Sequence, residues 1–343
     1  MPAPLNNNLR YRPADRPTAQ ELFSDLTGTH PRRALGRAIT LLESTRPADR
    51  AVADRLIDLA LQAAPTDTFR LGLSGTPGVG KSTFVESYGR EVVDRGHRLA
   101  VLAIDPSSSL SGGSILGDKT RMETLSRHPD VFIRPSPTNG HLGGVGANSR
   151  AAVLLCEAAG YDYVIVETVG VGQAEWRVHG MTDAFLLLAQ PGAGDDLQGI
   201  KRGILELADY ILVNKTDRLG EAAKQTALEL RRGLHLAPAR RDGWTVKVDR
   251  ISALTGLGIP ATYDHLATYH RKMTVAGHHA TRRLEQHVAW LRDRLEQDLQ
   301  QQLNDYIDGL ARTKGGLRRF LDEHSSLSSA ANVILADFFK TKT

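Results

Sequence analysis

The chain has one cysteine, Cys156, in 343 residues. That excludes an intramolecular disulfide framework and leaves a cysteine-built metal site without ligands. Long apolar runs are missing as well. The longest, such as Ala184–Ala189, fall far short of the ~18 residues that span a bilayer. The first residues, up to Pro13, contain no apolar segment of the secretory-signal kind. Nor is one sign of charge in large excess. The 43 basic and 39 acidic residues leave a net charge of +4, which gives little support for a nucleic-acid partner. No repeat with a period of roughly 20–50 residues is visible. What is present is 41% hydrophobic and 24% charged residues, enough for a sizeable core in one large or two small domains. The expectation is a soluble protein of a reducing compartment, with bacterial cytoplasm preferred.

Three zones follow from the patterning. Residues 1–65 predict a helical extension: Leu35, Ala38, Ile39, Leu41 and Leu42 cluster at helical spacing, as do Leu56, Leu59 and Ala60, with Pro31 and Pro47 between them. Residues 66–275 alternate short apolar runs with helical segments. The runs are Arg70–Ser74, Leu99–Ile104, Val131–Arg134, Asp162–Glu167, Ala184–Ala189, Tyr210–Val213 and Val246–Ile251. This alternation predicts an α/β fold with a mostly parallel sheet covered by helices on both faces. Residues 276–343 predict a long helix whose apolar stripe runs through Leu284, Val288, Leu291, Leu295, Leu299, Leu303 and Tyr306, then a break at Gly315-Gly316 and a helical hairpin. Such a stripe packs on its own domain or serves as a dimerisation arm.

After the first run comes Gly75-Thr76-Pro77-Gly78-Val79-Gly80-Lys81-Ser82, followed by Thr83. This is the phosphate-binding P-loop pattern in its required context of strand before and helix after. Glycines let successive N–H groups face one concavity, and the next helix adds its positive end. Lys81 supplies a charge for the β/γ-phosphates, and the Ser82 hydroxyl a ligand for Mg²⁺. About 130 residues on, the apolar run Tyr210–Val213 leads into Asn214-Lys215-Thr216-Asp217, at a strand end where open α/β sheets bind ligands. A carboxylate is acceptor-only, so Asp217 suits the paired N–H donors on the edge of guanine and not adenine. Ser252-Ala253-Leu254, after the last run, resembles the final base-contacting loop of P-loop GTPases.

Two carboxylates end strands: Asp105 in Asp105-Pro106-Ser107-Ser108, and Glu167 in Glu167-Thr168-Val169-Gly170. Either can hold Mg²⁺ through water, and the Gly170 N–H can meet a γ-phosphate. Asp118 by itself reads as the N-cap of the helix containing Met122 and Leu125. His278-His279 reads as a solvated pair at a helix start.

Longer motifs then converge. They are the run from Asp105 through Gly112 to Met122, Ile133–Pro137, Leu142–Val145, Leu155–Gly160, Val166–Gln173 and Pro191–Lys201. Together they resemble the MeaB/ArgK-type GTPases, the methylmalonyl-CoA mutase-associated members of the SIMIBI class of P-loop GTPases. The resemblance implies a GTP-hydrolysing chaperone for an adenosylcobalamin-dependent acyl-CoA mutase, gating cofactor loading and protecting the mutase. It implies GTP/GDP and Mg²⁺ as ligands, a homodimer, and helical extensions flanking the G domain. It makes Asp105, Asp118 and Glu167 the acidic residues around Mg²⁺, and Gly192–Lys201 a third switch with Asp195, Gln198 and Lys201 as working side chains. Read from the sequence alone, Lys201 is a solvated first-turn residue; by resemblance it could supply transition-state charge. Glu175-Trp176-Arg177-Val178-His179 is bulkier than the family pattern. A nickel-delivery GTPase, a P-loop kinase or ATPase, and a structural adaptor remain as rival readings at this stage.

Overall fold

The computed structural model describes residues 17–28, 30–44, 46–63, 65, 67–104, 122–136, 144–168, 174–192, 202–235, 240, 242–313, 316–323 and 326–341. They form two compact units, Met1–Leu284 and Glu285–Thr343.

The first unit is built on seven parallel strands: β1 (Phe69–Gly75), β2 (Leu99–Ile104), β3 (Val131–Ser136), β4 (Tyr163–Thr168), β5 (Ala184–Ala189), β6 (Tyr210–Val213) and β7 (Lys247–Arg250), in the order β3-β2-β4-β1-β5-β6-β7. Every residue of β1, β2, β4, β5 and β6 is buried, which is why these segments read as unbroken apolar runs and not as alternation. Helices α4 (Lys81–Asp94), α6 (Gly144–Ala158), α7 (Ala174–His179) and α9 (Gly220–His235) pack on the sheet. The short helices α5 (Glu123–Ser126) and α8 (Arg202–Leu207) lie in the connections, and α10 (Ile259–Val275) packs on α4. At the core, Tyr88 and Tyr163 are both buried and satisfy each other across 2.6 Å between hydroxyls.

The expected amino-terminal helices are α1 (Ala19–Leu26), α2 (Pro31–Leu42) and α3 (Pro47–Ala63). Thr18 and Glu21 form a reciprocal capping box that starts α1. Pro31 and Pro47 are the first residues of α2 and α3, so they initiate helices where the missing N–H costs nothing. Both helices pack against α6.

The amino-terminal edge of the sheet is closed by carboxylates. Asp162 accepts the backbone N–H of Arg98, Asp183 that of Arg70, and Asp209 that of Phe185. Asp183 is fully buried and also receives Arg283 through two bonds of 2.8 and 2.6 Å, while Arg70 grips buried Glu157 at 2.7 Å through both Nε and Nη2. Burial alone would raise the Asp183 carboxyl, but the bonds and charge of Arg283, with Arg70 behind, hold it down at about 2. Because the folded value lies below that of an unfolded aspartate, the group contributes about 2 kcal/mol that is complete above about pH 4 and lost as pH falls through about 2. Urea unfolding followed from pH 6 to pH 2 is expected to show this loss. Asp183→Ala, which strands Arg283 and an N–H, is expected to cost about 3–5 kcal/mol at pH 7.

One expectation fails here. His278 is exposed, but His279 is buried, its ring stacked on His270 with centroids 4.9 Å apart. Burial pushes the His279 imidazole down to about 4. Adjacent helix residues point about 100° apart, so neighbours in a dipeptide need not share an environment.

Helix α11 (His278–Ala311) leads into the second unit, which also holds α12 (Arg318–Glu323) and α13 (Leu327–Lys340). In that unit Tyr306 packs edge-on against Phe338, which is buried with Phe320 and Ala330. Further up the same helix, Val288, Leu291 and Leu295 are each 61% exposed.

Candidate functional site

The site lies at the carboxyl edge of the sheet, where β1 turns into α4. Gly75, the last residue of β1, runs so close to β5 that a Cβ on it would sit 2.6 Å from the Leu188 carbonyl. The loop then winds through Thr76, Pro77 and Gly78. Val79 is buried and donates its N–H to the Thr76 carbonyl at 3.2 Å. Gly80 caps α4 in the left-handed region, φ 99°, and no side chain caps the helix. The first-turn N–H groups of Lys81, Ser82 and Thr83 are therefore offered to the loop's concavity, the local arrangement that favours an anion. The Lys81 ammonium lies across the loop, donating to the carbonyls of Gly75 at 2.7 Å and Thr76 at 3.3 Å.

Asn214, at the end of β6, is 2% exposed and acts as a hub. Its Nδ2 donates to the Val79 carbonyl and its Oδ1 accepts the Ala253 N–H, both at 2.9 Å. One side chain thus ties the loop after β1 to the loop after β7. Gly80 must be glycine for the same reason: a Cβ there would lie 2.7 Å from the Asn214 amide. Asn214→Ala would leave a carbonyl and an N–H without partners. The expected cost is about 2–4 kcal/mol in urea unfolding, with retention of the sheet by circular dichroism.

Lys215 adopts φ 64°, unusual for a residue with a side chain and worth about 1–2 kcal/mol of strain. The turn sends its ammonium to the Gly78 carbonyl at 2.6 Å and to Gln190 Oε1 at 3.1 Å. Thr216 is pinned to the Ile251 carbonyl through both its N–H and its hydroxyl. Asp217 accepts from the Ser252 hydroxyl at 2.7 Å; that hydroxyl in turn accepts the Thr255 N–H, and the Ser252 N–H bonds to the Leu257 carbonyl. Leu254 stands out from this turn, 74% exposed.

Glu167 is buried near the end of β4, in register with Leu73 of β1 on one side and Ala103 of β2 on the other. The next residue, Thr168, donates to the Ser74 hydroxyl at 3.0 Å. The fold thus brings Gly75–Thr83, Asn214, Lys215, Asp217, Ser252 and Ala253 together, with Glu167 on the strand beside β1. Asp105, Asp118, Gly170 and Lys201, with Asp195 and Gln198, lie outside the described residues. The described helix near Asp118 is α5, preceded by Met122 and without a side-chain cap. No group of three or more His, Cys, Asp or Glu able to hold a metal occurs among the described residues. No described helix is long and apolar enough to cross a membrane. The contacts of Thr255 and Leu257 in this network are not named by the sequence reading, and neither is that of Gln190. Its only signal is a polar side chain directly after the all-apolar β5.

A parallel sheet with flanking helices, a glycine-rich turn entering a helix and an Asn-Lys-x-Asp turn locked to it define a P-loop GTPase. Residues 35–307 match the family described as methylmalonyl Co-A mutase-associated GTPase MeaB, and the chain belongs to that family. It is 46% identical over 279 residues to a mouse protein named methylmalonic aciduria type A homolog, mitochondrial, covering 78% of this chain and 67% of the mouse protein. It is 45% identical over 269 residues to the Escherichia coli GTPase ArgK, covering 78% and 81%. A solved structure described as LAO/AO transport system kinase superposes with a TM-score of 0.70 at 32% identity, over 94% of this chain and 97% of that one.

Proposed function

We propose that this GTPase is a chaperone for an adenosylcobalamin-dependent acyl-CoA mutase of the methylmalonyl-CoA type, gating cofactor loading and protecting the mutase. Membership of the mutase-associated family carries the reading. The lock of Asn214, Lys215 and Asp217 onto the P-loop and the turn after β7 supports guanine as the base.

In this reading the uncapped start of α4 and Lys81 hold the phosphates, while Asp217 accepts from the guanine edge and the Ala253 and Leu254 backbone lies beside the base. The donor set of Ser82, Asp105, Asp118 and Glu167 is all hydroxyl and carboxylate oxygen, which fits a hard divalent cation such as Mg²⁺. When bound, Mg²⁺ supplies charge to the β/γ-phosphate oxygens. Gly170 reports the γ-phosphate, and Lys201, at the end of the third-switch segment, adds transition-state charge when the mutase docks. Loss of the γ-phosphate then releases these contacts and changes the partner complex. The test is gel filtration with the mutase. A complex whose stability differs between GDP and a non-hydrolysable GTP analogue supports the reading. Identical behaviour, or no complex, contradicts it.

The exposed stripe of α11 supports a homodimer, with Val288, Leu291 and Leu295 facing their counterparts. The double variant Leu291→Glu/Leu295→Glu is expected to elute as a monomer at micromolar concentration with its circular dichroism intact. A monomeric wild type would contradict the assignment.

A further inference from the structure

A second polar site lies at the opposite edge of the sheet, six-residue strands away from the P-loop and so roughly 20 Å distant. A groove of about 660 Å³ is lined by His30, Arg32, Arg33, Arg98, Pro129 and Tyr161, with Pro31 between the first two. Among the described residues no carboxylate lines it.

The charges are on the wrong end of a helix for stability. His30 is the N-cap of the twelve-residue helix α2 and makes no side-chain cap bond; Arg32 and Arg33 occupy its first turn, which contains no acid. Cations at a helix N-terminus oppose the positive end of the dipole. A local rule broken without compensation marks a functional position. Two of the guanidiniums are already pinned: Arg32 donates to the Ser126 carbonyl at 2.8 Å, and Arg98 to the carbonyls of Ala159 and Gly160 at 3.2 and 3.0 Å. Asp130, half exposed, lies 4.0 Å from Arg98 Nε, and Asp162 accepts the Arg98 backbone N–H. Arg33 makes no hydrogen bond or ion pair among the described residues.

An independent observation comes from Tyr161. The residue is 1% exposed, and its buried hydroxyl donates to no acceptor among the described residues. Arg98 lies over its ring, 4.8 Å from the centroid, and Arg98 and Arg32 are the cations acting on the phenol. Leaving a buried hydroxyl unpaired is costly. A donor without an acceptor, in a groove that Arg32, Arg33 and Arg98 also line, suits an anion with several oxygens.

We infer that this groove is a binding site for the phosphate or diphosphate group of a small molecule, separate from the nucleotide site. Tetrahedral oxyanions match forked guanidiniums, helix N–H donors and a phenol at once, whereas a single carboxylate uses fewer of them. The inference does not rest on the chaperone reading.

The test is calorimetric titration of inorganic pyrophosphate into the full-length protein with its nucleotide site saturated by GDP, beside acetate at matched ionic strength. Wild type is expected to bind pyrophosphate and not acetate. Arg33→Glu is expected to weaken binding by about tenfold or more while raising the melting temperature by about 1–3 °C, because it replaces a cation with an anion at the helix N-terminus. Tyr161→Phe, the second variant, is expected to weaken binding by about three- to tenfold without loss of thermal stability. No pyrophosphate binding to the GDP-saturated wild type, equal binding of acetate, or unchanged affinity in both variants would overturn the assignment.

Discussion

Asp217→Asn is expected to weaken GTP binding by about 10²–10⁴-fold and to shift preference toward a xanthine nucleotide. The carboxylate offers two acceptor oxygens, which match the two adjacent N–H donors of guanine. An amide presents one acceptor and one donor, so a donor faces a donor. Xanthine carries an oxygen where guanine carries its amino group, and the amide pairs with that edge. The structure separates this effect from unfolding. Ser252 donates to one oxygen of Asp217 at 2.7 Å, and an asparagine can still accept that bond. Melting temperature should therefore hold while affinity falls. Equilibrium titration with labelled GTP and its xanthine analogue reads the result. Unchanged GTP affinity would remove Asp217 from base recognition.

Lys81→Ala has the second large expected effect, a loss of about 10²–10³-fold in nucleotide affinity by calorimetry. The Lys81 ammonium is held over the loop by the Gly75 and Thr76 carbonyls, so it is positioned before any phosphate arrives. The carbonyl of partly exposed Thr76 can bond water instead, but Gly75 is buried, so the fold should lose about 1–3 kcal/mol. Retained affinity would sink the phosphate-site assignment.

The sheet was legible because its inner strands are buried on both faces, and such strands announce themselves as apolar runs. β7 shows the limit: Lys247 and Arg250 are exposed around buried Val248, so the run Val246–Ile251 locates the strand but blurs its ends. The loop after β1 and the Asn-Lys-x-Asp turn were legible because their chemistry is local, with spacing set by the turn itself. What joins them was not. The bond from Asn214 to Val79 spans 135 residues and that from Lys215 to Gln190 spans 25. No sequence spacing encodes a contact made by folding. The same holds for Arg283 and Asp183, 100 residues apart. The misreading of His279 has a similar origin, since its burial depends on His270 and Phe69 from other elements.

The most direct test of the central claim measures phosphate release from GTP and from ATP, each with and without a panel of adenosylcobalamin-dependent acyl-CoA mutases. The account predicts slow turnover of GTP alone, raised by one mutase, with ATP left untouched. Equal turnover of ATP would contradict the guanine site proposed for Asn214, Lys215 and Asp217. GTP turnover that no mutase changes would contradict the chaperone role.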